Sequence, residues 1–168
     1  MYPNARRDLI DAVARGEAPD STLLGQNHMA ELGLDARVHD PWLTRRSTSR
    51  LRWNLRELLL PLELGDVDVA ITPLGSHFPL AARARRRPRV VVVNYGLNLI
   101  LRRVSTTRRR LLATALRSAA RVVCLGESQR LELIELADLE PEHVVTVCLG
   151  VDASFFTPRG TPPGSRHG

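Results

Sequence analysis

The chain has 168 residues with 43% hydrophobic content, a net charge of +6 and a pI of about 10.8, which fits one basic globular domain. It has no apolar run near the roughly 18 residues of a membrane span and no apolar core of a secretory signal near its start, so the sequence predicts neither an integral membrane protein nor a secreted one. We therefore expect a cytoplasmic protein, with the inner face of the membrane as the place of any peripheral contact.

Apolar periodicity predicts a series of helices and strands along the chain. The predicted helices are 5–15, 22–32, 47–64, 77–87, 98–117 and 128–137. The predicted strands are 35–40, 66–72, 89–94, 120–125 and 143–148. Gly33 stands where the C-cap of the second helix belongs, and the continuous β-branched run in 89–94 indicates a strand buried on both faces.

This order of elements predicts the fold class. Strands separated by helices are typical of parallel pairing through right-handed crossovers. We predict an α/β fold, a Rossmann-like, doubly wound and mainly parallel sheet with helices on both faces. The domain is expected to cover residues 1–156, and the Pro/Gly-rich tail 157–168 is expected to be disordered.

The basic charge and the cysteines each allow a functional and a structural interpretation. All 24 basic residues are arginine, which is typical of a GC-rich genome, and the runs at 83–87 and 108–110 are interpreted as solvated helix faces. An anionic membrane surface is the next candidate, and nucleic acid is disfavoured because a 4% aromatic content offers few stacking platforms. Cys124 and Cys148 are expected to be buried thiols in strands, and no ligand spacing predicts a metal site.

The loops after the strands are where function is expected. Ligands of doubly wound sheets bind beyond the carboxyl ends of the strands. The candidate loops are 40–42, 73–78, 94–98, 126–128 and 150–152. The sequence has no Gly-x-Gly-x-x-Gly loop, no P-loop and no Gly-x-Ser-x-Gly elbow, so no dinucleotide, P-loop nucleotide or serine-hydrolase site is predicted.

Two of these loops carry candidate side chains. In Gly75-Ser76-His77, a neutral imidazole can accept a proton from a hydroxyl substrate, although an exposed loop histidine is the default interpretation. In Asn94-Tyr-Gly-Leu-Asn98, amide side chains can bind sugar hydroxyls. The alternative there is a strand-to-helix turn with Asn98 as the helix cap.

Ser128 and Asp152 have structural interpretations. Ser128 is interpreted as the cap of the helix that follows it. Asp152 is interpreted as the side chain that shapes a turn. No pair of carboxylates and no cluster of histidines nominates a catalytic residue, so the catalytic residues stay unassigned.

Several segments in order resemble the N-terminal domain of family 4 glycosyltransferases of the GT-B fold, roughly over residues 20 to 160. The segments that carry the resemblance are Ala30-Glu-Leu-Gly33 with Asp35-Ala-Arg-Val-His39, Asp66-Val-Asp-Val-Ala-Ile-Thr-Pro73, Pro88-Arg-Val-Val-Val-Val-Asn94, Ala120-Arg-Val-Val-Cys-Leu-Gly-Glu-Ser128 and Gly150-Val-Asp-Ala-Ser-Phe-Phe-Thr-Pro158.

The resemblance implies a metal-independent, hexosyltransferase-type enzyme that moves a sugar from a nucleotide-sugar donor to an acceptor hydroxyl. The N-terminal domain of such enzymes mainly binds the acceptor, and a second domain binds the donor. It implies a saccharide or glycolipid acceptor, and no cofactor bound by this chain beyond the nucleotide sugar of a complete enzyme. The substrate-binding candidates are Gly75, Ser76, His77, Asn94, Tyr95, Gly96 and Ser128.

The sequence departs from the family pattern in four places. A first strand with a glycine-rich loop is not visible before residue 20, Asn94 or Tyr95 stands where a histidine is often found, and Leu149 replaces the usual asparagine. A donor domain with its Glu-x7-Glu region is not visible either. We therefore expect a truncated enzyme or one half of a split enzyme, inactive without a separate donor-binding chain.

Two other functions remain open from the sequence. One is a non-enzymatic α/β module that binds saccharides. The other is a basic protein that associates with membranes or nucleic acid through the arginine runs at 83–87 and 108–110.

Overall fold

The structure is a computed structural model, and it describes residues 6–19, 28–37, 58–72, 78–85, 88–148 and residue 150. The backbone divides into two compact units, one of residues 1–40 and 149–168 and the other of residues 41–148. The predicted tail 157–168 lies outside the described residues, and the single domain over 1–156 stays a prediction.

The first unit contains one regular helix among its described residues. Helix α1 spans Arg6–Ala14 and confirms the helix predicted at 5–15. The described end of the predicted helix 22–32 is a single 3-10 turn, Ala30–Leu32, which closes on Gly33 at φ +72°, a left-handed conformation that favours glycine. Asp35–Arg37 forms no strand, and the exposed side chains of Asp35 and Arg37 pair with each other (2.7 Å). Residues 38–40 of that prediction lie outside the described residues.

The second unit holds the remaining helices and all the described strands. The strands are β1 (Val69–Thr72), β2 (Arg89–Asn94), β3 (Arg121–Cys124) and β4 (Val144–Thr146). The helices are α2 (residues 58–63 of it are described), α3 (Phe78–Arg85), α4 (Leu97–Arg103), α5 (Thr106–Ser118) and α6 (Glu127–Ala137). A 3-10 turn, Pro141–His143, leads into β4.

The four strands form one parallel sheet in the order β1-β2-β3-β4. Each strand therefore pairs with the next one along the chain, and every connection is a crossover through a helix. Right-handed crossovers that advance in one direction place their helices on the same face of the sheet. In agreement, α3 packs on β2, and α6 packs on β3 and β4. The predicted Rossmann-like α/β fold is confirmed.

The core lies between this sheet face and the helices. Alternate residues of β2 and β3 are fully buried on it, among them Val90, Val92 and Val122. Leu101, Leu116 and Leu133 face them from α4, α5 and α6. Burial of one such side chain contributes about 1.5–3 kcal/mol, so this layer supplies most of the stability of the unit.

The opposite face of the sheet is less buried. Val91, Val93 and Val123 are half-buried there, whereas Val69 and Ile71 of β1 are about half exposed. The predicted helix 47–64 precedes β1, and only residues 58–63 of it are described. Strand β2 was predicted to be buried on both faces. It is fully buried on the face that packs against the helices and half-buried on the other.

Two predictions about elements were wrong in detail. The predicted helix 98–117 is two helices, broken at Val104-Ser105, where both residues take extended backbone conformations. A β-branched residue followed by Ser105 and two threonines favours a helix stop and a new N-terminus over continuation. Cys148 is exposed rather than buried, because β4 ends at Thr146.

No helix among the described residues has the length and apolar content needed to cross a bilayer.

Candidate functional site

The register of the sheet places the ends of three strands side by side. Asn94 at the end of β2 is the partner of Cys124 at the end of β3, and Cys124 is the partner of Thr146 at the end of β4. The strands are parallel, so all three are carboxyl ends at one edge. Two loops leave this edge, the β2–α4 loop at residues 95–96 and the β3–α6 loop at residues 125–126.

The side chain of Asn94 organises the β2–α4 loop. It is fully buried, and its Oδ1 accepts hydrogen bonds from the backbone N–H groups of Gly96 (3.0 Å) and Leu97 (2.8 Å). Leu97 is the first residue of α4, so Asn94 satisfies a backbone donor that the start of a helix leaves open. Gly96 is the N-cap with φ +151°, a conformation that side chains oppose.

A second amide extends this arrangement to the next helix. Asn94 donates from Nδ2 to Oδ1 of Asn98 (2.6 Å), and Asn98 donates from Nδ2 to the backbone oxygen of Gln129 (3.0 Å) and to Oε2 of Glu132 (2.9 Å). Both asparagines are buried. The amide of Asn98 therefore joins α4 to α6 and is not the helix cap, so that part of the prediction was wrong.

Helix α6 also fixes the β3–α6 loop, through the side chain of Gln129. Oε1 of Gln129 accepts a hydrogen bond from the backbone N–H of Leu125 (3.1 Å). The backbone oxygen of Gln129 accepts the hydrogen bond from Nδ2 of Asn98. Helix α6 begins at Glu127, and Gly126 is the N-cap. Ser128 is an exposed residue inside the first turn, so the prediction that it caps the helix was wrong. A glycine N-cap leaves the first-turn N–H groups without a side-chain acceptor from the cap.

Two contacts fix Glu127 at the edge of the site. Its carboxylate accepts a hydrogen bond from the hydroxyl group of Thr146 (2.7 Å) and another from a guanidinium N–H of Arg130 (2.8 Å). The hydrogen bond from Thr146, followed by that from Arg130, holds the pKa of this exposed carboxyl below its ordinary value of 4.5. Arg130 also donates to the backbone oxygens of Val144 (2.8 Å) and Pro141 (3.0 Å), so it ties α6 to β4.

Cys124 lies beneath the two loops. It is fully buried, as predicted, and the Nδ2 of Asn94 is 3.5 Å from its Sγ. Burial raises the pKa of the thiol, and the contact with Asn94 and the charge of Arg130 oppose that shift without reversing it. A neutral, buried thiol is a packing group and not a nucleophile.

The sequence-predicted site residues divide into two sets. Asn94, Tyr95, Gly96 and Ser128 lie on the two described loops at one edge of the sheet. Gly75, Ser76 and His77 fall outside the described residues, as do loop 40–42 and most of loop 150–152. Of the other histidines, His143 sits in the 3-10 turn before β4, where its Nε2 lies 3.0 Å from the backbone oxygen of Leu116.

Sequence reasoning missed Gln129 and Glu132, which hold the two loops together. Glu132 is 34 residues from its partner Asn98, and no local pattern signals such a contact. The one available signal was the parallel order of β2 and β3, which places α4 and α6 on the same face of the sheet. Within the described ranges, no group of three His, Cys, Asp or Glu side chains lies together as a metal site would require.

The arrangement suits the binding of a hydroxyl-rich ligand. It offers two short loops of fixed geometry, a glycine that leaves the approach open, an exposed serine hydroxyl and backbone donors at the start of α6. Such groups bind hydroxyls and small anions by hydrogen bonds.

The chain was compared with models of known protein families. The family described as Glycosyltransferase Family 4 matches residues 14–155 of the chain. The chain belongs to this family. Comparison with curated proteins and with solved structures gave no match. In this family 4 glycosyltransferase domain, the matched range includes all four strands and both described loops.

Proposed function

We propose that the chain is the acceptor-binding domain of an enzyme that transfers a sugar from a nucleotide-sugar donor to an acceptor hydroxyl. Family membership supports glycosyl transfer, and the acceptor role follows from the resemblance of these segments to the N-terminal domain of the family. The observation that carries the proposal is the hydrogen-bond chain from Asn94 through Asn98 to Gln129, which fixes two loops at the carboxyl edge of the sheet.

The site residues have two different roles in this proposal. Both ends of the Asn94 carboxamide are engaged within the protein, so Asn94 is a positioning residue and not an acceptor ligand. Tyr95, Gly96 and Ser128 are the residues of the two loops that contact the acceptor. Gly75, Ser76 and His77 are assigned to the same acceptor surface from the sequence.

Rigid loops matter for this reaction because the acceptor hydroxyl must be aligned with the anomeric carbon of the donor. A well-oriented pair of reactants lowers the barrier by removing translational and rotational freedom before the chemical step. Charge that develops on the departing nucleotide is stabilised by groups from a donor-binding domain. The proposal therefore requires a donor-binding domain in addition to residues 14–155, and a saccharide or glycolipid as the acceptor.

A sugar-transfer assay tests this function. The full chain is incubated with radiolabelled nucleotide sugars and a panel of saccharide and glycolipid acceptors, alone and with a family 4 donor-binding domain supplied as a separate chain. We expect no transfer by the chain alone and transfer when the donor-binding domain is present. A calorimetric titration of the chain alone with the same acceptors should show saccharide binding. Transfer by the chain alone would contradict the need for a donor-binding domain, and the absence of binding to every acceptor would contradict the acceptor role.

A further inference from the structure

Glu127 is the first acidic residue after a long stretch without one. Residues 69–126 contain twelve of the 24 arginines and no aspartate or glutamate. This stretch contains β1 to β3 and α3 to α5. The glutamate that follows it begins α6, at the edge of the sheet where the β2–α4 and β3–α6 loops lie. A negative charge therefore stands at the candidate site, although the preceding part of the chain is basic.

The arginines that belong to β2 and β3 lie at the opposite edge of the sheet. Arg89 opens β2 and Arg121 opens β3, so both stand at amino ends, whereas Glu127 follows the carboxyl end of β3. A strand rises about 3.3 Å per residue, so the length of β2 separates Arg89 from the loop after it by roughly 17 Å. Interactions between exposed charges are largely screened beyond about 10 Å in about 0.1 M salt. These two arginines therefore add little positive charge at the candidate loops.

Glu127 has a fixed position and carries its charge at neutral pH. The hydroxyl of Thr146 and a guanidinium N–H of Arg130 donate to its two carboxylate oxygens. These bonds hold the pKa of the carboxyl below its ordinary value of 4.5. The side chain of Arg130 is only 23% exposed, and its other hydrogen bonds go to the backbone oxygens of Val144 and Pro141. The carboxylate is therefore the part of this ion pair that solvent and ligands reach.

The carboxylate of Glu127 has capacity for further hydrogen bonds. An ionised carboxyl group has about four lone-pair positions. The bonds from Thr146 and Arg130 use one position on each oxygen, and the side chain of Glu127 is 57% exposed. Each oxygen can therefore accept one more hydrogen bond from a ligand. The next residue, Ser128, is also exposed and has a hydroxyl that can donate or accept.

We propose that Glu127 is a specificity-determining residue of the acceptor site, which binds the hydroxyl groups of a neutral saccharide and disfavours an anionic one. This role rests on the proposed function and narrows the class of acceptor. The start of a helix by itself attracts anions, because its first N–H groups are open. Here the carboxylate of Glu127 already places a negative charge at that position, so a phosphate on the acceptor is repelled. Two hydroxyl groups on adjacent carbons of a hexose can donate to the two oxygens instead, in charge-assisted hydrogen bonds.

Pairs of sugars with and without a phosphate test this role. The probes are the methyl glycosides of glucose, galactose and mannose and the 6-phosphates of the same hexoses, each titrated into the full chain and followed by backbone amide NMR. We expect at least one methyl glycoside to bind about fivefold more tightly than the matching phosphate, which carries about 1.5 to 2 negative charges at neutral pH. This preference should decrease between about 50 mM and about 500 mM salt, because salt screens the repulsion.

Two variants separate the charge of Glu127 from its structural contacts. Glu127→Gln keeps the size of the side chain and should weaken binding of the neutral sugar about tenfold, because the charge-assisted hydrogen bonds are lost. It should weaken binding of the phosphate less, so the preference should fall below about twofold and no longer depend on salt. Glu135→Gln is the matched control, since this exposed glutamate lies eight residues further along α6, a rise of about 12 Å. It should change either affinity less than about twofold. Circular dichroism checks that each variant is folded.

Three results would overturn the role of Glu127. The first is an unchanged preference in Glu127→Gln, or an equal loss of both affinities, which would leave the acceptor role of the domain intact and make the residue structural. The second is tighter binding of the phosphates by the unmodified chain, which would make the acceptor anionic. The third is an absence of binding to every neutral and phosphorylated sugar, which would contradict the acceptor role itself and the role of Glu127 with it.

Discussion

Nδ2 of Asn94 lies 2.6 Å from Oδ1 of Asn98, and both side chains are buried although each carries a polar amide. Buried amides are costly unless they are hydrogen-bonded, and here every polar end has a partner. The pair therefore stabilises the start of α4 and ties it to α6. The geometry of the two candidate loops depends on it.

Replacing Asn94 tests that dependence. Asn94→Ala removes the acceptor of two backbone N–H groups and one partner of Asn98, so we expect a loss of about 2–4 kcal/mol in the free energy of unfolding. Urea denaturation followed by circular dichroism measures it. Thr114→Ala is the control, because its exposed hydroxyl bonds only within its own helix, to the backbone oxygen of Arg110, and its loss should cost less than about 0.5 kcal/mol. Equal effects of the two changes would contradict the role of Asn94.

Gly96 offers a test that separates the strain of the backbone conformation from the room available for a side chain. At φ +151° an alanine is strained although nothing lies within 4 Å of its Cβ, so Gly96→Ala should cost about 1–3 kcal/mol. Gly126 has the same open surroundings but φ −167°, an extended conformation that any residue adopts. Gly126→Ala should therefore cost less than about 1 kcal/mol. The same urea titration compares them, and a reversed order would show that the β2–α4 loop has another conformation.

The two cysteines should react at very different rates. Cys148 is exposed, whereas Cys124 is buried with a raised thiol pKa. A coloured thiol reagent at neutral pH should modify one thiol rapidly and the other at least about 100-fold more slowly. Both should react in urea. Cys148→Ser should abolish the fast phase, and a fast phase that remained in this variant would show that Cys124 is accessible.

The contacts of Glu127 predict a dependence of stability on pH. The hydrogen bonds from Thr146 and Arg130 lower the pKa of this carboxyl in the folded state below 4.5, so folding favours the ionised form. The resulting stabilisation is fully present above about pH 4.5 and is lost as the pH falls through the lowered pKa of the folded state. The melting temperature of Glu127→Gln should lie below that of the unmodified protein near about pH 6 and approach it in acid. A difference that stayed constant with pH would contradict this role.

The sequence predicted the architecture well because its signals are local and repeated. Short runs of apolar and β-branched residues identified all four described strands of the sheet, and their separation by helices implied parallel pairing. The break at Val104-Ser105 was missed because the apolar spacing continues across it and only the weaker preferences of Ser and Thr oppose it. Cys148 was misplaced because strand ends are set by tertiary pairing, and β4 stops two residues earlier.

The candidate site was predicted less completely, for a physical reason. The loop 94–98 could be found because it follows a buried strand and contains a glycine. The roles of Asn94 and Asn98 could not, because they depend on Gln129 and Glu132, which lie on another helix more than 30 residues away. Only the packing of α4 against α6 brings these groups into contact.

The most direct test of the acceptor-binding assignment is a backbone amide NMR titration of the full 18.7 kDa chain with saccharide acceptors and, separately, with nucleotide sugars. We predict that saccharides shift the amide signals of Tyr95, Gly96 and Ser128 while the rest of the spectrum is retained. Nucleotide sugars should leave the same signals unchanged. Shifts of these signals by nucleotide sugars but by no saccharide would contradict the assignment and would place the donor at this edge of the sheet.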